Sequence, residues 1–524
     1  MSRFVRSSLF RHTYGSPAKP ENRYDNIKIS ASAFDTNLVS ASDKYLAVNW
    51  QASGGGAYVV TPLDITGKLP DIFPLVRAHT APVLDTAFSP FDNELVASVG
   101  EDGKLALTRV DDQIIRDAWN RDRKDLPDME PLWRENAHGR KAGHVKFNPV
   151  AQGVLATAST DVKIWDLEAQ KSKYQSETHA DMVQSIDWDW TGSTYATACK
   201  DKKLRVFDPR AGSAAVTVVD SHSGVKGSRV LHLGDQDRIV TTGFSRTSDR
   251  QLFLWDAREL NKGPIKQMNI DQSSGMLMPF FSAGTNVLFL AGKGDGNVRM
   301  YEYDNDELFY LSDYGSSQPQ RGMCFAPAHA VNVEENEIAR AYKAVGTTIE
   351  PVSFIVPRKS EAFQADLFPP APSDQPALSA SDWFGGKSSN PIMVDMETRK
   401  TSSSSEPVKP YKPTAAPAAT PAPAPVEEST PAPKAATPPR AASPPPPALA
   451  PAPVAAAPRA TTPQPAAAPT TNGTSASSNG GSKDDGQVAA LREENEQLRA
   501  DLAEKDAVIR ELELKLERVK SALA

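Results

Sequence analysis

The sequence predicts an all-β fold, a seven-bladed β-propeller of WD repeats, on three observations. A strand ending in an aromatic residue and a polar or acidic partner recurs along the first half. Asp161-Val162-Lys163-Ile164-Trp165-Asp166 returns as Leu204-Arg205-Val206-Phe207-Asp208, as Leu252-Phe253-Leu254-Trp255-Asp256 and as Val298-Arg299-Met300-Tyr301-Glu302. The aromatic positions lie 42, 48 and 46 residues apart, the period of a propeller blade. A half-apolar strand precedes each phrase, at 94–98, 154–159, 195–199, 239–243 and 287–291, with a Gly- and Asp-containing turn between. Such turns supply the positive φ that tight hairpins need. A histidine opens several repeats (His79, His138, His179, His222), and phrases at 83–90 and 183–190 give the innermost strands.

The remaining blades are read in order. Residues 45–63 hold an apolar strand, a Gly54-Gly55-Gly56 turn and a second strand, and 94–110 form the next repeat with 104–110 as its last strand. Residues 45–303 thus make six blades. The seventh draws on 321–327 and 352–356 and needs an N-terminal strand, placed at 4–10, so that both chain ends close the ring and remove its sheet edges. The charged insert 111–136 is expected as a loop or short helix on the rim.

The propeller is expected over residues 1–357, with an extension at 358–400 lying on it, anchored by 362–368 and Trp383-Phe384. About half of the 43 prolines fall in 401–486, a Pro/Ala/Ser-rich, nearly aromatic-free linker that cannot bury a core and favours extended, disordered chain. Residues 487–524 carry apolar residues at three and four spacing: Leu491, Leu498, Leu512 and Val519 at d, and Asn495, Leu502, Ile509 and Leu516 at a. That is a heptad stripe for a coiled-coil homo-oligomer. A single a-position Asn favours a parallel dimer, and a trimer stays open as the alternative.

Composition narrows the function. A net charge of −7 over 524 residues points to neither nucleic acid nor membrane. No apolar run reaches the ~18 residues of a transmembrane segment, and no signal peptide is expected. Two cysteines give no disulfide framework. Gly292-x-Gly294-x-Gly296 precedes a strand rather than a helix, so it offers no anion-binding helix end. The Gly385-Gly386-Lys387-Ser388 likeness to a phosphate loop lacks its upstream glycine. The histidines fall one per blade and cannot converge on a metal. They are expected to bond within their own blades, beside hydroxyls such as Ser159, with Trp165, Asp201 and Trp255 as further structural residues. No catalytic constellation, metal or other cofactor is expected, and a non-enzymatic binding platform is the reading. Residues 1–30 hold six basic residues against two acidic ones; this is either a solvated surface or a patch for an acidic partner.

Motifs outside the blades resemble the coronin family. They are Arg3-Phe4-Val5-Arg6-Ser7-Ser8, Phe10-Arg11-His12, Gly15, Pro17-Ala18-Lys19 and Tyr24-Asp25-Asn26-Ile27-Lys28-Ile29-Ser30, then Asn336-Glu337-Ile338-Ala339-Arg340-Ala341-Tyr342 (read as preceding the last blade), Glu350-Pro351-Val352, Val356-Pro357-Arg358-Lys359-Ser360, Phe363-Gln364-Ala365-Asp366-Leu367-Phe368-Pro369, Asp382-Trp383-Phe384-Gly385-Gly386-Lys387 and Pro391-Ile392. The resemblance implies a protein that binds and crosslinks filamentous actin and regulates the actin-related protein 2/3 complex, in the cytoplasm at the cell cortex and in endocytic actin patches. It places Lys28 at a basic position used for filament binding, with Arg11, Lys19 and Arg23 as the rest of a candidate basic face. Lysine at position 28 keeps the charge but lacks arginine's bidentate fork. The linker lacks an acidic, Trp-containing motif, and the coiled coil lacks an Arg-centred trimer motif. The competing reading is a general WD-repeat adaptor in ubiquitin ligation or vesicle traffic.

Overall fold

A computed structural model describes residues 6–32, 35–120 and 126–403, and Ala500. Among these residues, seven sheets succeed one another along the chain. Six have four strands in simple antiparallel order. Blade 1 is Val39–Ala41, Tyr45–Trp50, Gly56–Pro62 and Val76–His79; blade 2 is Val83–Phe88, Leu95–Gly100, Lys104–Arg109 and Trp133–Asn136. Blade 3 runs His144–Phe147, Val154–Ala158, Val162–Asp166 and Lys171–Gln175. Blade 4 runs Val183–Trp188, Tyr195–Cys199, Lys203–Phe207 and Thr217–Asp220. Blade 5 is Arg229–His232, Arg238–Phe244, Arg250–Asp256 and Lys266–Asp271; blade 6 is Leu277–Ser282, Val287–Gly292, Asn297–Asp304 and Glu307–Gly315.

The core is shared between neighbouring blades. One cluster joins blades 2 and 3 through Leu105, Val145 and Trp165, and another joins blades 5 and 6 through Leu254, Leu288 and Tyr301. The first strands line the axis and bond to one another. His232 N–H donates to Asp187 (2.7 Å), and Val145 N–H donates to Asp85 (3.2 Å). Phe280 and Phe325 meet at 4.8 Å between blades 6 and 7.

Blade 7 combines Gly322–Phe325, Glu337–Val345 and Thr348–Ile355 with the N-terminal strand Tyr14–Pro17, paired antiparallel with Tyr14 opposite Ile355. Tyr24–Asp25 also pairs with Thr348–Ile355. The closing strand is therefore 14–17, not 4–10. Within the described part of 4–10, Phe10 (6% exposed) plugs the core and the turn after it is held by Thr13 Oγ1 donating to the Phe10 carbonyl (2.8 Å). Arg6 crosses to blade 6, bridging Glu302 (2.5 Å) and Asp304 (2.7 Å) over the Phe309 ring. Residues 337–342, expected before the last blade, begin its second strand.

Two more expectations change. The Trp-Asp strand is the third of four, not the last. The outer strands, such as Lys171–Gln175, expose most residues and lack apolar alternation. The insert 111–136 contains a helix, Asp112–Trp119, capped by Asp111 accepting from Ile114 N–H and burying Ile115 and Ala118; it then supplies the outer strand of blade 2.

The extension lies against the ring. Leu367 and Phe368 enter the core of blades 6 and 7. Ser379 caps the short helix Ala380–Phe384, whose Trp383 is 0% exposed, donates its indole N–H to the Gly192 carbonyl (2.8 Å) and packs edge-on against Trp188 at 6.0 Å. The strands Ala371–Pro372, Met393–Val394 and Thr401–Ser402 form a small sheet.

Candidate partner-binding face

Antiparallel order sets the geometry of a partner site. In each blade the turn between strands two and three, and the crossover from strand four to the next blade, leave from the same end. These loops form one face of the ring. The extension covers the other, where Gly192 and Val150 lie in turns between strands one and two and Leu378 N–H donates to the Val150 carbonyl (3.0 Å).

Histidines fasten the crossovers of the loop face. His138 bonds Asp161 (2.9 Å) and Thr157 (2.8 Å), and Thr157 accepts the Trp165 indole N–H (2.9 Å). His79 bonds Asp102 (3.0 Å) and Ser98 (2.9 Å). His179 bonds Thr197 (3.0 Å), with Phe207 where blade 3 has a Trp. His222 bonds Thr241 (3.0 Å), which accepts from Trp255 (2.9 Å). Burial pushes His179 and His222 down to about 4, so both rings are neutral relays at physiological pH. Each histidine serves the blade that follows it. Its hydroxyl partner sits on the second strand; Ser159, just past that strand, instead donates to the Lys141 carbonyl. Asp201 pairs with Arg205 (2.5 Å) rather than with His179.

These networks decide the sign of the face. Four turn acids are turned inward, Asp102 and Asp161 to histidines, Asp201 to Arg205 and Asp295 to Arg250 (2.6 Å), and Asp249 is held at the surface by hydroxyls of its own turn. Burial alone would raise the Asp102 carboxyl, but the His79 bond outweighs it and holds it well below the usual range. Lys28, Arg140, Lys202, Lys226 and Arg246 are exposed in the same loops, and Lys293 and Arg321 are half-buried near the axis. Asp35, Glu101, Glu177 and Asp220 are exposed acids in the same loops, and two of them are paired, Asp35 with Lys293 (3.1 Å) and Asp220 with Lys203 (3.5 Å). The outward field is therefore cationic.

The four sequence-chosen cations part company. Lys28 is on this face: Ile27 N–H donates to the Thr347 carbonyl (2.9 Å) and the Lys28 carbonyl accepts from Gln51 (2.7 Å), which fixes the segment between two turns. Buried Ile27 and Ile29 flank it and leave its side chain exposed. Lys19 is exposed on the rim beside blade 7. Arg23 is spent on Glu350 (2.8 Å), and Arg11 donates to the Arg6 carbonyl. Both close the ring rather than extend the face. Arg140, Lys226 and Arg246 were missed as single charges scattered over a hundred residues. Their common position in the repeat was the available signal. Leu491, Asn495, Leu498, Leu502, Ile509, Leu512, Leu516 and Val519 lie outside the described residues.

Among the described residues no group of three or more His, Cys, Asp or Glu could hold a metal, and no helix is long and apolar enough to cross a membrane. Cys199 and Cys324 are free and buried; burial pushes the Cys199 thiol up to about 11 and Cys324 higher still, so neither is an activated nucleophile. Lys387, from the phosphate-loop likeness, is paired with Asp382 (2.6 Å).

Three family models match the chain: a domain of unknown function (DUF1899) at residues 3–68, a WD domain G-beta repeat at 170–208 and a type of WD40 repeat at 349–391. The coronin-like protein of Saccharomyces cerevisiae is 46% identical over 402 residues, covering 76% of this chain and 61% of its own length. The coronin-like protein crn1 of Schizosaccharomyces pombe is 46% identical, covering 76% and 65%. The chain thus spans less than two thirds of these two relatives. Coronin-A of Dictyostelium discoideum is 42% identical, covering 76% of this chain and 87% of the relative. The crystal structure of the WD40 domain of Toxoplasma gondii coronin superposes with a TM-score of 0.68 at 30% identity, covering 74% of this chain and 97% of that one. With its closed seven-bladed ring, its extension and relatives matched over most of their length, the chain belongs to the coronin family.

Proposed function

We propose that this protein binds actin filaments through the cationic loop face of its propeller and crosslinks them as an oligomer, in the cytoplasm, at cortical actin patches and in endocytosis, with the actin-related protein 2/3 complex as a second partner. The observation that carries the reading is the inward pairing of the turn acids, which leaves Lys28 and its neighbours facing a partner with few competing carboxylates. An actin filament is an anionic polymer, so contact through such a face is electrostatically steered and weakened by salt. The histidines of this face are consumed in structural bonds, which supports a binding role over a catalytic one.

Single heads bind weakly and joined heads hold firmly, because the second contact is intramolecular. The heptad stripe at 487–524 supports joining, with a dimer favoured and a trimer as the alternative. Pelleting of the full chain with filaments between low and high salt tests the reading. Co-pelleting that falls steeply with salt is expected; a chain that stays in the supernatant at low salt supports the adaptor reading instead. A chain ending at Lys483 is expected to lose bundling while single heads still bind.

A further inference from the structure

The extension-covered face holds a cavity of about 250 Å³ at the mouth of the axial channel. Its walls are Phe147, Pro149, Trp188, Trp190, Phe281 and Pro372, with Lys146 and Asp187 on the polar side. That volume is below the usual range for whole small-molecule ligands, so the cavity suits a few rigid apolar side chains. Aromatic walls of this kind take proline rings from a polyproline II helix, whose fixed backbone loses little entropy on docking.

Such a segment begins three residues past Ser403. Glu406-Pro407-Val408-Lys409-Pro410-Tyr411-Lys412-Pro413 repeats proline at a spacing of three. Polyproline II has three residues per turn, so Pro407, Pro410 and Pro413 share one face and Lys409 and Lys412 share another. The starting point is close. Thr401–Ser402 pairs with Met393–Val394, which pairs with Ala371–Pro372, and Pro372 is itself a wall of the cavity. Two strand spacings are about 10 Å, and four extended residues from Ser403 to Pro407 reach about 12 Å. An adjoining cavity shares Asp189, Trp190 and His232 and carries the exposed carboxylate of Asp235, placed for the lysine side of the motif.

The geometry points to intramolecular docking of the 407–413 proline motif in the aromatic mouth formed by Phe147, Trp188, Trp190 and Phe281. A tether of a few residues gives an effective concentration in the millimolar range. A motif that binds from solution with a Kd of only about 0.1 mM is then seated about nine-tenths of the time in its own chain. The docking is independent of filament binding, since the loop face leaves from the other ends of the strands.

The test uses full-length protein and a fluorescent peptide of residues 405–414. The peptide is titrated by anisotropy into the unaltered chain and into the triple variant Pro407→Ala, Pro410→Ala, Pro413→Ala. The vacated mouth of the triple variant is expected to bind the peptide about tenfold more tightly, as follows from removing a competitor in the millimolar range. A peptide of the same composition with the proline spacing scrambled is expected not to bind. Trp190→Ala in the triple variant is expected to remove binding; because that variant can fold poorly, Asp235→Lys is measured beside it and is expected to weaken binding. Equal affinity for both full-length chains means the mouth is empty in the native chain, open to a proline-rich partner, and overturns the proposal. So does binding to neither chain.

Discussion

The two faces of this ring are built from the same repeat and have opposite chemistry. On the loop face, buried histidine networks turn the acids inward and leave cations outside. On the opposite face, the chain returns over itself and places Trp383, Leu367 and Phe368 against the blades. One face is available for a partner and the other is internal structure. Substitutions on the covered face should therefore change stability first, and those on the loop face should change binding while leaving stability alone.

The largest effect is expected for Trp383→Ala. It removes a fully buried indole, its bond to Gly192 and its packing on Trp188, and a loss of about 3–5 kcal/mol is expected in urea unfolding. Glu350→Gln comes next. Glu350 serves Arg23 (2.8 Å) and the fully buried Lys343 (3.8 Å) where the N-terminus closes blade 7. Leaving those cations uncompensated is expected to cost about 3 kcal/mol, seen as a lowered urea midpoint and faster proteolysis. Thr157→Val severs the link from His138 to Trp165 and strands the buried Trp165 N–H and His138 Nε2, for about 1–3 kcal/mol by thermal unfolding. Lys28→Glu should shift stability by less than about 0.5 kcal/mol yet weaken filament affinity severalfold in pelleting at low salt.

The smallest effect is a pH dependence at the seam between ring and extension. His329 Nε2 faces Asp43 (2.7 Å) and Nδ1 faces the Pro372 carbonyl (2.8 Å). Both neighbours are acceptors, so both nitrogens donate and the ring is an imidazolium. Burial opposes the charge, but Asp43, with Asp374 adding, raises its pKa above the ordinary value. A raised folded pKa gives stability that is complete below the unfolded value near 6.5 and lost as pH rises through the folded value. Proteolysis within 358–400 is expected to quicken with pH across that window and to lose this dependence in His329→Gln.

How much of this was legible follows from what repeats. The second and third strands carry the apolar phrases and the Trp-Asp ending, so their spacing alone gives the blade count. The outer strands did not register, because strands such as Lys171–Gln175 face water and carry no apolar period. The closing strand was misplaced because Phe4 and Phe10 look like strand residues, whereas Tyr14–Pro17 contains Gly15 and Pro17 and reads as a turn. Gly15 is required there: a Cβ would fall 2.5 Å from the Tyr314 ring. In the candidate site, Lys28 was legible by resemblance. The rest of the cationic face needed the ring, which alone gathers Arg140, Lys226 and Arg246 at one end of the strands.

The most direct measurement compares two full-length double variants with the same change in net charge. One carries Lys28→Glu and Arg140→Glu on the loop face; the other carries Lys171→Glu and Lys359→Glu, on an exposed outer strand and on the extension. Pelleted with actin filaments at low salt, the first is expected to lose about tenfold or more in affinity and the second to bind like the unaltered chain. Equal loss in both would mean that net charge, not a face, governs binding, and would contradict the account.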